Sequence, residues 1–215
     1  MRNNEKQAQA RSIATREKLI TTALDVIYDV GYNKASTPEF SKRAGVSRGA
    51  LLHHFPTRAD IIVAAMDRLL NDGTRDIRDA AVAVAQQKIG LDELMDFLWT
   101  MFSGRFFYIS IEFINEARTD PDLREQMLPV VKSFHEALDG IWSELHREED
   151  CPPHEAQIVL NLTICLLRGM GIQTVLKDDP EYFSSMLEAW KAILPHLVGG
   201  RGRQMMFEPK NPDSG

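Results

Sequence analysis

The apolar residues of this 215-residue chain recur three and four positions apart almost from end to end, and this spacing is the strongest constraint on its fold. Between residues 16 and 30, Ile20, Ala23, Leu24 and Ile27 would lie on one face of a helix. Alternating apolar and polar runs, which would indicate strands, are almost absent. The sequence therefore predicts an all-α fold of about nine helices.

Capping residues and helix breakers divide this pattern into separate helices. Gly31 would end the first helix, Thr37 would cap the second, and Ser47 would cap the third. Thr57 and Asp60 have the spacing of a capping box, which would begin a fourth helix that continues to about residue 85. The remaining predicted helices span about residues 91–103, 105–118, 120–148, 154–177 and 180–197.

Composition excludes several classes of protein. A chain of this length can bury a core without disulfides or metal, and Cys151 and Cys165 have neither a disulfide nor a zinc spacing. The longest nearly uncharged stretch, residues 156–175, still contains Arg168, which favours a buried helix over a membrane span. Residues 2–6 do not begin a secretory signal. We therefore expect a cytoplasmic protein without membrane segment, metal or cofactor.

Charge is distributed unevenly along the chain. The net charge is −6, but residues 1–60 contain ten Lys and Arg against six Asp and Glu, a net of +4. The remaining residues contain fifteen against twenty-five, a net of −10. A basic N-terminal part on an acidic body indicates that only one end of the protein meets a polyanion.

Residues 37–55 have the pattern of a helix-turn-helix. Two short predicted helices meet at Gly45, where a glycine tolerates the positive φ of a tight turn. Phe40, Ala44 and Leu51 are spaced to pack the two helices on each other and on the first helix. In such a motif the N-terminal residues of the second helix enter the major groove of DNA.

These residues resemble the DNA-binding motif of the tetracycline-repressor (TetR) family of bacterial transcriptional regulators. The resemblance extends over about residues 13–62 and depends on Thr37, Ala44-Gly45-Val46-Ser47, Gly49-Ala50-Leu51, His54-Phe55 and Arg58. It implies a homodimer that binds a pseudo-palindromic double-stranded DNA operator and is released by a small-molecule effector. That the regulator is a repressor rather than an activator follows only from the habits of the family.

The predicted DNA-binding residues come partly from the resemblance and partly from their chemistry. By resemblance, Thr37 and Arg58 match phosphate-contacting positions, and the start of the third helix matches positions that contact bases and backbone. Arg48 is the best physical candidate for base readout, because its guanidinium can span guanine O6 and N7. Leu52 stands where the family usually has an aromatic residue. The full predicted set is Thr37, Lys42, Arg43, Ser47, Arg48, Gly49, Ala50, His53 and Arg58.

We divide the chain into a DNA-binding domain (1–60), an effector-binding and dimerisation domain (61–198) and a disordered tail (199–215). The second domain is rich in large apolar side chains, which would either line an effector cavity or simply pack the core. Glu112 would either face that cavity or pair with Arg105 or Arg168. The candidate effector-site residues are Trp99, Phe102, Phe106, Glu112, Phe113, Phe134, Trp142 and Met170.

The last two predicted helices carry apolar stripes suited to self-association. By resemblance, these helices from each of two subunits would form a four-helix interface. The predicted interface residues are Ile158, Leu162, Leu166, Gly169, Ile172, Met186, Trp190 and Ile193.

Two other classes of protein were weighed against a regulator. The sequence has no phosphate-binding glycine loop and none of the common hydrolase or metalloprotease motifs, and a metal site from His146, Cys151 and His154 would be interrupted by two prolines. We therefore expect that the protein is not an enzyme. The alternative function is a helical protein-interaction module that no longer reads DNA, which Leu52 makes conceivable. The acidic body favours a neutral or cationic effector, unless its charges are simply solvated helix faces.

Overall fold

The structure, a computed structural model, describes residues 2–145 and 153–198. Within these ranges it has nine α-helices, one short 3-10 helix (Tyr32–Lys34) and no strand. This confirms the all-α prediction. The predicted tail lies outside the described residues. The α-helices are α1 (Arg2–Val30), α2 (Thr37–Ala44), α3 (Arg48–His54), α4 (Arg58–Ala85), α5 (Leu91–Phe102), α6 (Arg105–Thr119), α7 (Pro121–Leu145), α8 (Pro153–Thr174) and α9 (Pro180–Val198).

Two of the predicted helix caps are present. The hydroxyl of Ser47 accepts a hydrogen bond from the N–H of Ala50 at 3.1 Å, which caps α3. Before α4, the N–H of Thr57 donates to the carboxylate of Asp60 at 2.8 Å, and the N–H of Asp60 donates to the hydroxyl of Thr57 at 3.1 Å. These reciprocal bonds form the predicted capping box.

The prediction that Thr37 caps α2 is wrong by one residue. Ser36 has extended backbone angles, and its hydroxyl accepts from the N–H of Glu39 at 3.4 Å. Thr37 is the first helical residue instead. Both residue types are good caps, so their order in the sequence could not decide between them.

The first helix is also longer than its apolar stripe indicates. It begins at Arg2 rather than near Arg16, although its described residues 5–14 are all exposed. Glutamine, alanine, arginine and lysine dominate this stretch, and these residues favour a helix even where no core lies beneath it.

The first compact unit contains the described residues up to Gly73, together with Tyr108–Phe134. Helices α1, α2 and α3 pack on one another in it. Leu19, Phe40 and Ile61 are fully buried and form part of its core. This packing of three short apolar faces fixes the positions of α2 and α3.

The second unit contains Thr74–Phe107 and the described residues from His135 onward. Helices α5, α8 and α9 pack against one another in it, with Leu98, Leu167 and Phe183 among the buried residues. The main chain of α8 closely approaches the end of α5 at Gly171, where a side chain would have no room.

Two structural absences apply to the part of the chain just described. No helix there is both long enough and apolar enough to cross a membrane. No group of three or more His, Cys, Asp or Glu residues there could hold a metal ion. The candidate metal ligands His146 and Cys151, and the side chain of His154, fall outside the described positions.

Replacing Gly171 by alanine should destabilise the second unit. A Cβ at this position would lie 2.0 Å from the carbonyl oxygen of Phe102 and 2.9 Å from the ring of Phe107. The backbones must separate to admit it, so we expect a loss of about 1–3 kcal/mol in the free energy of unfolding, measured by urea denaturation. Gly140→Ala is the control, because nothing lies within 4 Å of its Cβ position. That helical substitution should stabilise by ~0.5–1 kcal/mol. Equal effects of the two substitutions would contradict the close approach.

Candidate nucleic-acid interface

A tight turn between α2 and α3 builds the candidate interface. Gly45 adopts φ 62° and ψ 36°, the left-handed conformation that glycine tolerates best. Its N–H donates to the carbonyl of Lys42 at 3.2 Å, and the N–H of Val46 donates to the carbonyl of Ser41 at 3.0 Å. The two helices therefore cross at a fixed angle, as the sequence predicted for a helix-turn-helix.

Helix α3 is buried on one side and exposed on the other. Leu51 is fully buried in the core of the first unit. Of the residues predicted to contact DNA here, Ser47, Arg48, Gly49 and His53 are exposed and Ala50 is half-buried. A helix held in this way can insert its N-terminal residues into a groove without disturbing its own packing.

Exposed cations surround this helix. Arg48 and Lys42 have no carboxylate partner among the residues that the structure describes. Lys18, which the sequence analysis missed, places its ammonium 3.9 Å from the Cβ position of Gly45 and therefore beside the turn. In the sequence, Lys18 is indistinguishable from the other polar residues of α1. Only the packing of α1 on α2 brings it to the turn.

Arg43, by contrast, is already paired within the protein. Its guanidinium donates to Glu39 at 2.8 Å and also to Asp29. These hydrogen bonds raise the pKa of Arg43 above its usual value. Arg43 therefore links α2 to α1, a role that the sequence did not predict.

Arg58 is held even more firmly. Its Nε donates to the carbonyl of Ala35 at 2.7 Å, and a terminal nitrogen donates to the carbonyl of Tyr32 at 2.6 Å. Its guanidinium carbon also lies 4.2 Å from the centre of the Tyr32 ring, a cation–π contact. Arg58 thus fastens the beginning of α4 to the segment that joins α1 to α2.

Glu112 contacts the same segment. Its carboxylate accepts a hydrogen bond from the N–H of Tyr32 at 2.7 Å. Gly31 has φ 78°, and a Cβ there would lie only 3.3 Å from the same carboxylate. This carboxylate was predicted to face a cavity or to pair with an arginine, whereas in the structure it accepts from a backbone N–H. Burial is the main reason that the pKa of Tyr32 is raised.

A small apolar cavity lies within the second unit. Its volume is about 20 Å³, roughly the room that one water molecule needs. Phe102 is the one member of the predicted effector set that lines it, among the described side chains. The lining residues are Ile77, Ala81, Leu94, Leu98, Phe102, Leu138, Ile141, Leu160 and Ile164. The aliphatic members were not predicted, because aliphatic side chains on these helices are indistinguishable in sequence from ordinary core residues.

The other predicted effector residues are dispersed. In the second unit, Trp99 stacks on Phe183 with ring centres 6.0 Å apart, Phe106 lies edge-on to Phe102, and Met170 is buried. Phe113 and Phe134 are buried in the first unit. The side chain of Trp142 lies outside the described ones.

The predicted dimer residues are strongly exposed for apolar side chains. Ile158, Leu162 and Ile172 on α8 are 41%, 44% and 53% exposed, and Ile193 on α9 is 47% exposed. Gly169 is also exposed, while Leu166, Met186 and Trp190 are half-buried. The indole N–H of Trp190 donates to the hydroxyl of Thr163 at 3.3 Å.

The fold and the exposed recognition helix define the class of the protein: a helix-turn-helix transcriptional regulator. Residues 19–65 match the family described as bacterial regulatory proteins, tetR family. The chain belongs to this family, whose members are regulators rather than enzymes.

Relatives and solved structures agree with this assignment. The HTH-type transcriptional regulator CymR of Pseudomonas putida is 28% identical over 173 residues, which cover 80% of this chain and 85% of CymR. The A-factor receptor protein of Streptomyces griseus is 39% identical over 197 residues, covering 88% of this chain and 66% of the receptor. The transcriptional regulator FadR from Bacillus subtilis, solved with stearoyl-CoA, superposes with a TM-score of 0.59 at 17% identity, over 86% of this chain and 98% of FadR. The last likeness shows the fold alone.

Replacing Arg58 by glutamine should lower stability, because two carbonyls would lose charged donors and Tyr32 would lose its cation. We expect a loss of about 2 kcal/mol in the free energy of unfolding, measured by urea denaturation. Arg48→Gln is the matched control, since it removes an exposed arginine and should change stability by less than about 0.5 kcal/mol. If both substitutions cost the same, Arg58 does not fasten the segment.

Proposed function

We propose that the protein binds a pseudo-palindromic operator as a homodimer, represses transcription there, and is released by a small-molecule effector. The observation that carries the proposal is the exposed N-terminal half of α3, with Arg48 at its start and unpaired lysines beside it. Such a protein would act in the cytoplasm, where bacterial DNA is.

Each part of this surface would have its own role on DNA. Arg48 would read a guanine in the major groove, because its guanidinium has no competing partner in the described structure. Lys42 and Lys18 would contact phosphates on either side of the turn, adding affinity that depends on salt. Thr37, Ser47, Gly49, Ala50 and His53 would complete the contact surface. Arg43 and Arg58 would act mainly by positioning α2 and the segment before it, since their donors are already engaged.

Dimerisation would bury the exposed apolar side chains of α8 and α9. Four isoleucine and leucine side chains more than 40% exposed on these helices form a surface that water disfavours. Pairing with a second copy would create a four-helix interface. The two recognition helices would then lie about 34–36 Å apart, one turn of the duplex.

An effector would bind in the second unit and shift the population of dimers away from the DNA-binding spacing. The apolar cavity at Phe102 is the starting point for such a site. The proposal is supported by the name of the A-factor receptor and by stearoyl-CoA in FadR, two proteins similar to this one. Helix α4 has residues in both units and would transmit the shift.

Arg48 and Lys42 should affect DNA binding differently. Fluorescence anisotropy would be measured on the DNA upstream of the protein's own gene, beside a scrambled duplex, across a salt series. Arg48→Gln should cost about 1–3 kcal/mol on the operator and little on the scrambled duplex, because base contacts specify sequence. Lys42→Gln should weaken binding to both duplexes and reduce the salt slope by about 1.

Lys88→Gln serves as the control, since it removes an exposed lysine of the second unit and should leave DNA binding unchanged. If Arg48→Gln behaves like this control, base readout does not come from the start of α3. If the native protein binds both duplexes equally weakly, the alternative of an interaction module replaces operator binding. The exposed Leu52 would then be read as a sign of that loss.

Leu162→Lys should weaken the dimer at least about tenfold, because it places a charge in the proposed apolar interface. Sedimentation equilibrium measures the effect directly. Leu128→Lys is the control, since Leu128 is 56% exposed on α7, away from α8 and α9 in the chain. A dimer disrupted by Leu128→Lys but not by Leu162→Lys would place the interface elsewhere.

A further inference from the structure

We infer that the effector is an apolar carboxylate whose anionic group pairs with Arg168 while its apolar part occupies the cavity beside Phe102. This inference rests on the proposed effector-binding function of the second unit and names the chemical class of its ligand. It follows from the position, the missing partner and the burial of one arginine.

Arg168 continues a row of side chains that line the cavity. Leu160 and Ile164 both line it, and Arg168 follows them at the same four-residue spacing on α8. Residues four apart lie on one face of a helix, about 6 Å further along the axis. The guanidinium carbon of Arg168 lies 5.5 Å from the centre of the Phe102 ring, which lines the cavity as well. The cation therefore lies at one end of the apolar space.

No carboxylate pairs with Arg168 among the side chains of residues 5–141 and 157–197. Its contact with Phe102 is a cation–π interaction, and within the described part of the chain its guanidinium nitrogens, which can only donate, have no hydrogen-bond acceptor. The side chain is mostly buried, and this burial lowers the pKa of the guanidinium. A desolvated cation without a counter-ion is costly, so such an arrangement calls for an anion.

Another cation of the same unit shows what a structural pairing looks like. The side chain of Lys191 is only 8% exposed, and its ammonium contacts Asp96 at 2.6 Å and Glu188 at 2.8 Å. Those two carboxylates stabilise its charge on the protein itself. Arg168 has comparable need of an anion but no such partner, which is why we assign its anion to a ligand.

The surroundings select the rest of the ligand. The residues lining the cavity are all apolar, so the body of the ligand should be apolar too. The planar fork of Arg168 matches a carboxylate, with which it can form two parallel hydrogen bonds. Because the cavity is small, a ligand must widen it on entry. The acidity of the whole domain favoured a neutral or cationic effector. Such an effector would leave Arg168 without a counter-ion, so the local positive charge is the better guide to the charge of the ligand.

The test compares carboxylates with uncharged analogues of the same shape. Binding of decanoate, decanamide, naphthalene-2-carboxylate and naphthalene-2-carboxamide to the DNA-free full-length protein would be measured by isothermal titration calorimetry. We expect at least one acid to bind about tenfold or more tightly than its amide, because a charged hydrogen bond is stronger than a neutral one. The Arg168→Met variant should bind the acid no more tightly than the amide.

Two further variants keep the result interpretable. Arg78→Met removes an exposed arginine from the same unit and should retain the preference for the acid. Arg168→Lys keeps the charge without the planar fork and should show an intermediate preference. Arg168→Met should also raise the melting temperature by ~2–4 °C, because it removes a half-buried charge that has no partner among the described residues. If Arg168→Met fails to fold, Arg168→Gln takes its place.

The inference is overturned if neither acid binds better than its amide, or if the preference persists without Arg168. Operator release, measured separately by anisotropy, tests the proposed function. An acid that binds through Arg168 but does not release DNA would support the inference and contradict effector-driven release. If only an uncharged compound released the DNA, effector-driven release would be supported and the inference of a carboxylate ligand would be contradicted.

Discussion

The helix-turn-helix depends on the hydrogen bonds from Arg58 to the backbone before α2. Only a short 3-10 helix and a few extended residues join α1 to α2. Without Arg58 the buried carbonyl of Ala35 would lose this donor, a state that folded proteins avoid, while the carbonyl of Tyr32 would keep the N–H of Ala35 at 3.1 Å. Arg58 supplies two donors and a cation over Tyr32, while Glu112 accepts the N–H of Tyr32. The position of α3 therefore depends on side chains from α4 and α6.

The helices could be predicted from the sequence because each carries its own local signals. The spacing of apolar residues, the cap at Ser47, the capping box at Thr57 and the turn at Gly45 are all properties of neighbouring residues. The errors also have local causes. Two adjacent good caps exchanged roles at the start of α2, and a polar but helix-favouring stretch extended α1 beyond its apolar stripe.

The candidate site was harder to predict, because charged side chains reach partners far away in the sequence. Arg58 contacts residues more than twenty positions earlier, and Glu112 contacts a residue eighty positions earlier. Spacing along the chain carries no signal for such pairs. The same limit hid Lys18, which tertiary packing brings to the turn. Exposure of Gly49 and His53 was predictable, because each is two positions from the buried Leu51 and so lies on the other side of α3.

Charge must therefore be judged at the scale of single contacts in this protein. The chain as a whole is acidic, yet cations without a partner among the described residues lie beside the turn, and another lies half-buried near the cavity. Net charge influences long-range attraction, whereas recognition depends on which charges are left without partners.

The close contact at Gly171 would link two proposed events, ligand binding and dimerisation. Helix α8 lies there against the carbonyl of Phe102, so it has no room to move closer to α5. The same helix lines the cavity with Leu160 and Ile164 and exposes Ile158 and Leu162 on its surface. In the proposed complex, a ligand that widens the cavity would push this helix outward and displace the surface that a second copy would contact. If both proposals hold, ligand affinity and dimer affinity would be coupled, each altering the other by the same factor.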